Sequence, residues 1–133
     1  MLIVIDIGNT NITIGIYKDD KLIGNYRLTT KMKRTSDEYG FMILNFLSAS
    51  KASADDIKDV IISSVVPKIM HSFLNGIRKY MHKEPIVVGP GIRTGISVKA
   101  ENPKAVGADR IVDAAGAYYE YGGPCLVVDF GTT

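Results

Sequence analysis

Two stretches of the sequence, one near each end, place the same polar residues directly after an apolar run. The run IVI at residues 3–5 is followed by DIGNT at 6–10, and LVV at 126–128 is followed by DFGTT at 129–133. Each stretch predicts a buried strand, then a turn made of aspartate, an apolar residue, glycine, a small polar residue and threonine. The two copies are too far apart for a solenoid repeat, which favours two related halves, the second beginning where this sequence stops.

Such a turn has a specific chemistry. A carboxylate at the end of a buried strand suits Mg²⁺, often through water. Glycine lets the backbone approach a phosphate closely, and asparagine and threonine add hydrogen-bond donors. One copy alone favours a plain strand-ending turn. Two copies in the same context favour a pair of turns that grip a nucleotide's phosphates from both sides.

A second group of residues precedes the last predicted helix. Gly107 and Ala108 allow close backbone approach, and Asp109 and Arg110 follow them directly. Taken alone, Asp109 favours a helix N-cap. An acid that accepts a hydroxyl proton, next to a guanidinium that holds an anion, is also typical of a phosphoryl-acceptor site.

Other chemistry-bearing residues predict less. The glycine-punctuated loop 89–95 is equally consistent with a connector and with a wall of a substrate site. The cluster Lys31, Lys33 and Arg34 predicts a solvated loop. His71 and His82 lack partners at zinc-ligand spacing, which argues against a zinc site. The single Cys125 is typical of a small core residue.

The elements that position these residues follow from apolar periodicity. Alternation and turn residues predict an antiparallel meander at the start of the chain, and Thr35 with Glu38 has the spacing of a helix capping box. Pro67 suits a helix first turn, and Gly122 a helix end. The mixed order predicts an α/β layer fold with a partly antiparallel sheet. Strands are predicted over residues 1–5, 11–17, 22–28, 60–62, 86–88 and 125–128, and helices from Thr35, from Pro67 and over 110–121.

Composition limits the function classes. The 133 residues include 16 Lys+Arg and 14 Asp+Glu, a net charge of +2, which argues against a chain that coats nucleic acid by charge. With 46% hydrophobic residues, the chain is expected to bury roughly two-thirds of its unfolded surface. One cysteine excludes an internal disulfide framework and fits a reducing compartment. The start does not resemble a signal peptide, and no apolar run approaches the ~18 residues of a membrane span.

In their order and spacing, these motifs resemble the type III pantothenate kinases of the acetate kinase/sugar kinase/Hsp70/actin superfamily. The resemblance runs over the whole chain, through residues 6–11, 63–67, 91–95, 102–110 and 129–133. It implies an actin-like, ribonuclease H-like α/β fold, a mixed sheet with helices on both sides. It also implies ATP-dependent phosphorylation of pantothenate to 4'-phosphopantothenate, the first step of coenzyme A biosynthesis.

The resemblance further implies a role for each matched residue. Asp109 would be the base that takes the proton of pantothenate's primary hydroxyl, and Asp6 would lie near Mg²⁺. Asp129 would hold a monovalent cation, K⁺ or NH₄⁺. The nucleotide-binding residues would be Asp6, Ile7, Gly8, Asn9, Thr10, Asn11, Ile12, Thr13 and Thr132, and the pantothenate-binding residues Gly107, Ala108, Asp109 and Arg110. Family members are cytoplasmic homodimers with pantothenate near the dimer interface, so we expect no membrane and no direct nucleic-acid contact.

This sequence departs from the family pattern in two ways. Many relatives carry a tyrosine just before the Asn-Pro segment, where this chain has Lys99-Ala100-Glu101, so one wall of the acceptor pocket differs. Relatives are also about twice as long. We therefore expect a fragment: residues 1–123 would form a first actin-like domain, and 124–133 the first strand and turn of a truncated second domain.

Two other functions remain open from the sequence. Similar sequences have been described as Bvg accessory factors, so a transcriptional regulator without kinase activity is the first alternative. The presence of Asp6, Asp109 and Asp129 together favours chemistry over that alternative. The second is a structural fragment that is itself inert, while the protein it belongs to is an enzyme.

Overall fold

The structure, a computed structural model, describes residues 1–89 and 92–132 and contains a five-stranded mixed sheet. In chain order the strands are β1 (Leu2–Ile7), β2 (Asn11–Lys18), β3 (Lys21–Thr29), β4 (Asp59–Ser64) and β5 (Ile86–Val87). Their order across the sheet is β3-β2-β1-β4-β5. The first three strands are antiparallel, whereas β4 pairs parallel with both β1 and β5. The predicted meander and the mixed sheet are thus both confirmed.

Three helices complete the fold: α1 (Ser36–Ala49), α2 (Pro67–Met81) and α3 (Ala108–Tyr121). The predicted capping box begins α1, because the Glu38 carboxylate accepts from the Thr35 N–H at 2.6 Å and the Thr35 hydroxyl accepts from the Glu38 N–H at 3.2 Å. Pro67 is the first residue of α2, and Gly122 ends α3 with a positive φ, as predicted. Short 3₁₀ turns lie at Ala54–Asp56 and Pro103–Ala105.

The core lies between one face of the sheet and the pair α1–α2. Successive strand residues point to opposite faces, so Ile3, Ile5 and Ile7 of β1 are buried on the same face. Phe73 and Ile77 of α2 are fully buried in the same cluster. The helix backbones approach closely, because a side chain at Gly76 would lie 2.5 Å from the carbonyl oxygen of Ser36 in α1. Together these contacts fix the strands that carry the first polar turn.

The opposite face of the sheet is covered less completely. Val112 of α3 and the strand residues Val4, Gly15 and Ile61 line a cavity of about 460 Å³ on this face. The helix contacts β4, and none of its residues is fully buried. Helices therefore lie on both sides of the sheet, as expected, but only α1 and α2 seal a core.

The strand predicted over residues 125–128 is absent from the structure, where this segment has no regular hydrogen bonding. Leu126 is 90% exposed and Phe130 is 96% exposed. A strand is stable only beside a neighbour that pairs its backbone groups, and no described strand adjoins this segment. Apolar sequence alone therefore gave the wrong secondary structure here.

Part of the glycine-punctuated loop predicted at 89–95, and Thr133 of the second polar turn, lie outside the described residues. Among the described residues, none of the helices has the length and apolar character needed to cross a bilayer.

Candidate functional site

The connection between β1 and β2, residues 8–10, is held in one shape by hydrogen bonds; we call it the first turn. The Gly8 N–H donates to the Asn11 carbonyl at 2.9 Å, and the Thr30 N–H donates to the Thr10 carbonyl at 2.9 Å. The hydroxyl of Thr30, a residue only 5% exposed, donates to the Gly8 carbonyl at 2.7 Å. A side chain at Gly8 would lie 3.2 Å from the Asn11 carbonyl oxygen, so glycine fits this crowded position best. A buried residue of β3's C-terminal flank thus fixes the first turn.

A polar cavity of about 390 Å³ opens beside the first turn. Four aspartates from three parts of the chain line it: Asp6 at the end of β1, Asp109 and Asp113 on α3, and Asp129 near the C-terminal end. We call it the acidic cavity. Its other lining residues are Gly8, Asn9, Thr10, Asn11, Thr13, Arg27, Val65, Gly131 and Thr132.

The N-terminal part of α3 positions two of these aspartates. Asp109 and Asp113 are four residues apart, which places them on the same face of the helix. Gly107 is the N-cap, and a side chain there would collide with the Asp109 carboxylate and touch Val65 at 3.4 Å. Asp109 itself accepts the N–H of Arg110 at 2.8 Å. The alternative that Asp109 is the N-cap is therefore wrong, since the helix begins at Ala108 and not at Arg110.

The second polar turn, residues 129–132, returns to the first. The hydroxyls of Thr10 and Thr132 are 2.8 Å apart, within hydrogen-bond distance. Asp129 and Gly131 line the acidic cavity together with Asp6 and Gly8. The two sequence copies, 123 positions apart along the chain, thus meet at one site, as their similarity predicted.

Burial, together with the crowding of negative charge, raises the pKa of two carboxyls. Burial raises the pKa of Asp6 above its usual value, the nearby Ser63 hydroxyl opposes this shift, and the charges of Asp109, Asp113 and Asp129 add to it. Burial also raises the pKa of Asp113, with contributions from Asp129 and then Asp109. Like charges held close together disfavour ionisation. A cation in the acidic cavity would relieve this repulsion.

The donor chemistry of the acidic cavity fits Mg²⁺. Carboxylate, amide and hydroxyl oxygens are the ligands that hard cations take, and all three kinds line the cavity. Within residues 1–89 and 92–132, no three acidic, histidine or cysteine side chains lie close enough to hold an ion directly. Mg²⁺ usually keeps several waters and takes one or two carboxylates, so this looser arrangement agrees with it. Arg27, opposite Thr13 in the β2–β3 pairing, is the basic residue of the lining.

The structure does not bring every predicted site residue to the cavity. Ile7 and Ile12 are fully buried in the core, so their side chains do not reach it, although their backbones flank the first turn. Gly107, Ala108 and Arg110 are not among the lining residues, and Arg110 is exposed. The predicted residues that do line the cavity are Asp6, Gly8, Asn9, Thr10, Asn11, Thr13, Asp109, Asp129 and Thr132.

Sequence reasoning missed three polar side chains in or beside this site: Asp113, Ser63 and Arg27. Asp113 could have been found, because it lies one helical turn after Asp109. Ser63, 5% exposed, sits opposite Asp6 in the parallel β1–β4 register, which sequence alone does not give. Arg27 belongs to a strand whose register across β2 was likewise unknown.

A second cavity, of about 630 Å³, shares Asn9, Thr10 and Thr132 with the acidic cavity. We call it the basic cavity, because its charged lining residues are all lysines. Lys31 and Lys33 are exposed, as expected for a solvated loop, and Lys68 of α2 is exposed too. All three lysines line one concave surface. The other lining residues are Thr30, Met32, Val66 and Ile69.

Comparison with known proteins identifies the family of this chain. A family model described as type III pantothenate kinase matches residues 2–133. The chain belongs to the type III pantothenate kinase family. Type III pantothenate kinases named in Bifidobacterium adolescentis, Bifidobacterium longum subsp. infantis and Agathobacter rectalis are 57%, 55% and 54% identical to it, each over 99% of the chain.

Membership of the type III pantothenate kinase family confirms the expected actin-like α/β fold, which agrees with the mixed sheet described above. The chain covers 52%, 52% and 51% of those three relatives, in the order B. adolescentis, B. longum subsp. infantis and A. rectalis. It therefore spans about half the length of the curated relatives it matches.

Proposed function

We propose that this chain is the N-terminal half of a pantothenate kinase, an enzyme that transfers the γ-phosphoryl group of ATP to pantothenate. The product would be 4'-phosphopantothenate, formed in the first step of coenzyme A biosynthesis. The observation that carries the proposal is the meeting of both polar turns, joined by Thr10 and Thr132, beside Asp109 in one cavity. Family membership supports the choice of substrate.

In this proposal the first turn binds the phosphates of the nucleotide. The Asn9 amide and Thr10 hydroxyl line the cavity and are suitable donors, and Gly8 keeps the backbone open to a close approach. Thr132 reaches the same place from the second turn. Residues 6–13 therefore act mainly through backbone and polar side chains, while Ile7 and Ile12 anchor the turn in the core.

Asp109 is the proposed base. It lines the cavity from the first turn of α3, and Gly107 leaves room for its carboxylate. A carboxylate placed there can accept the proton of a primary hydroxyl as that oxygen attacks phosphorus. Gly107, Ala108 and Arg110 would bind the rest of pantothenate, with the exposed Arg110 guanidinium suited to its carboxylate.

Two cations are part of the proposal. Asp6 would hold Mg²⁺, mostly through water, and Asp129 would hold K⁺ or NH₄⁺. When bound, these ions offset the negative charge of the phosphates and of the four aspartates. The protein's own contribution is to fix Asp6 at the end of a paired, buried strand and to bring Asp129 beside it.

The assembly and location are also proposals. We propose a cytoplasmic homodimer whose partners are pantothenate and ATP, with no membrane or nucleic-acid partner. The near-balanced charge of +2 supports the absence of a nucleic-acid partner, because it argues against a chain that coats nucleic acid by charge alone.

An assay that couples ADP release to pantothenate tests the function in the full-length protein, with Mg²⁺ and K⁺ present. We expect turnover in the usual enzyme range of ~1–10³ s⁻¹ that requires pantothenate. A transcriptional regulator without kinase activity would give no pantothenate-dependent ADP in the same assay. That result, with folded protein and bound ATP, would overturn the proposal.

A further inference from the structure

The basic cavity has a charge pattern that its surroundings do not explain. Three lysines line it, and no aspartate or glutamate is among its described lining residues. The ion pairs found among residues 1–89 and 92–132 are Arg78–Glu84 and Lys79–Asp37, so Lys31, Lys33 and Lys68 have no acidic partner there. Three like charges around one concavity repel one another unless an anion lies between them.

Lys68 makes this charge pattern more unusual. It is the second residue of α2, and the first turn of that helix contains no acidic residue. A helix N-terminus carries partial positive charge and favours anions, so a lysine there is electrostatically unfavourable. The α2 N-cap is Val66, whose side chain makes no hydrogen bond to the free N–H groups at the N-terminal end of α2. A bound anion would offset both features.

The neighbouring residues add hydrogen-bond donors. Asn9 and Thr10 of the first turn, and Thr132 of the second, line both the basic and the acidic cavity. An anion in the basic cavity would therefore touch the same turns that face the four aspartates. Lysine ammonium groups are compact donors that commonly bind phosphate oxygens.

We propose that the basic cavity is a second anion-binding site, which takes phosphate groups without a metal ion. The ligand is a phosphate oxyanion, either on the nucleotide held at the first turn or on a separate phosphorylated molecule. The nucleotide source rests on the proposed function, whereas the site itself does not. Metal independence distinguishes the two cavities, because phosphate beside four aspartates needs a cation to offset repulsion and phosphate beside three lysines does not.

Pyrophosphate binding in the presence of EDTA tests the site. Calorimetry on the full-length protein would compare wild type with Lys31→Gln/Lys33→Gln/Lys68→Gln. We expect the affinity of the triple variant for pyrophosphate to be lower than that of wild type by at least about tenfold. Each lysine should contribute no more than about tenfold, since exposed ammonium groups are screened by water and salt. A wild-type protein that binds no pyrophosphate at millimolar concentration with EDTA would overturn the proposal.

The matched control removes the same charge elsewhere. Lys18, Lys21 and Lys58 lie at the opposite end of the sheet, where β1 begins and the β2–β3 hairpin turns. The triple variant with glutamine at these positions should bind pyrophosphate within about twofold of wild type. Equal weakening in both triple variants would show a general charge effect and would also overturn the site.

A second measurement uses the wild-type protein alone and does not depend on the folding of any variant. Lysine acetylation of the wild-type protein, followed by mass spectrometry, reports the access of each lysine in the same molecule. We expect pyrophosphate with EDTA to protect Lys31, Lys33 and Lys68 but not Lys18, Lys21 or Lys58. Absence of selective protection would contradict the site even if all variants failed to fold.

Competition with ATP identifies the source of the phosphate. Displacement of pyrophosphate by ATP in EDTA supports the nucleotide's own phosphate chain, and simultaneous binding supports a separate phosphorylated molecule. Neither arm uses pantothenate or turnover. A protein that binds pyrophosphate in EDTA but fails the kinase assay would support this site and overturn the proposed function. A protein that passes the kinase assay but binds no pyrophosphate in EDTA would support the proposed function and overturn this site.

Discussion

The acidic and basic cavities use the same first turn but present opposite charge. Four aspartates and Arg27 line one, and three lysines line the other, with Asn9, Thr10 and Thr132 common to both. The aspartates lie on elements fixed by packing or pairing, namely β1 and α3, and on the returning C-terminal segment. Two of the lysines lie on the exposed connection between β3 and α1.

Residues 8–10, the first turn, thus border two opposite electrostatic environments. In the acidic cavity, burial and like charge raise the pKa values of Asp6 and Asp113. A bound cation would therefore stabilise the ionised carboxylates. In the basic cavity the exposed lysines are solvated and need a partner less strongly. We therefore expect substitutions in the acidic cavity to have the larger effects, and the following predictions test that ranking.

The largest effect is expected from Asp109→Asn in the full-length protein. Loss of a general base typically lowers the rate by ~10²–10⁴-fold, while ATP binding should change little because the first turn is intact. Steady-state kinetics and ATP titration measure the two quantities. Asp20→Asn, in the exposed turn between β2 and β3, is the matched control. A kcat within about threefold of wild type would remove Asp109 from the mechanism.

The next effect is expected from Asp6→Ala, which removes the proposed Mg²⁺ ligand. Mg·ATP should bind at least about tenfold more weakly, since a charged partner of a cation is lost. The melting temperature should stay similar or rise, because like-charge repulsion with Asp109, Asp113 and Asp129 is relieved. Calorimetry and thermal unfolding check both points.

Asp59→Ala is the control for Asp6→Ala. Asp59 is an exposed aspartate on the adjacent strand, paired with Leu2 at the far end of the sheet. It should leave Mg·ATP binding unchanged. A collapse of the melting temperature in Asp6→Ala alone would instead show that Asp6 is structural.

A smaller effect is expected from Thr30→Val, which keeps the shape of a buried residue and removes its hydroxyl. The Gly8 carbonyl would lose the hydrogen bond that it accepts at 2.7 Å. We expect a loss of about 1–2 kcal/mol in the free energy of unfolding and a higher KM for ATP. Urea unfolding and kinetics measure these. Thr29→Val, at the exposed neighbouring position, should change neither, and an unaltered Thr30→Val would show that the first turn is fixed by its backbone bonds alone.

The sequence predicted those parts of the fold that depend on local chemistry. The capping box of Thr35 and Glu38, the start of α2 at Pro67 and the end of α3 at Gly122 all follow from backbone groups a few residues apart. The two polar turns were found because they repeat one pattern. Only that similarity indicated that the two turns meet, as they do where the Thr10 and Thr132 hydroxyls lie 2.8 Å apart.

The sequence could not supply what depends on distant partners. Residues 125–128 are apolar enough for a strand, but pairing decides whether a strand forms, and the described residues offer none. Lys68 joins Lys31 and Lys33 only because α2 begins beside the β3–α1 connection. Asp113, by contrast, could have been found from its position one helical turn after Asp109; it was missed because α3 was predicted to begin two residues late, at Arg110, with Asp109 outside the helix.

The smallest effect is expected from Asp113→Asn, and its sign depends on pH. The pKa of Asp113 is raised in the folded protein, so the folded state binds the proton more tightly than the unfolded state. Stability from this group therefore falls as pH rises from the ordinary value of 3.8 through the raised folded pKa. Removing the charge should stabilise the protein at pH 7 in EDTA, by less than about 1 kcal/mol because solvent screens the carboxyl.

The same variant should give no advantage below pH 3.8, where Asp113 is protonated in both states. Thermal unfolding at several pH values, with Asp20→Asn as control, measures the difference. A variant less stable than wild type at pH 7 in EDTA would mean that Asp113 makes a favourable contact that outweighs repulsion from Asp109 and Asp129. The acidic cavity would then be less strained than its charge implies, and the expected contrast with the basic cavity would shrink accordingly.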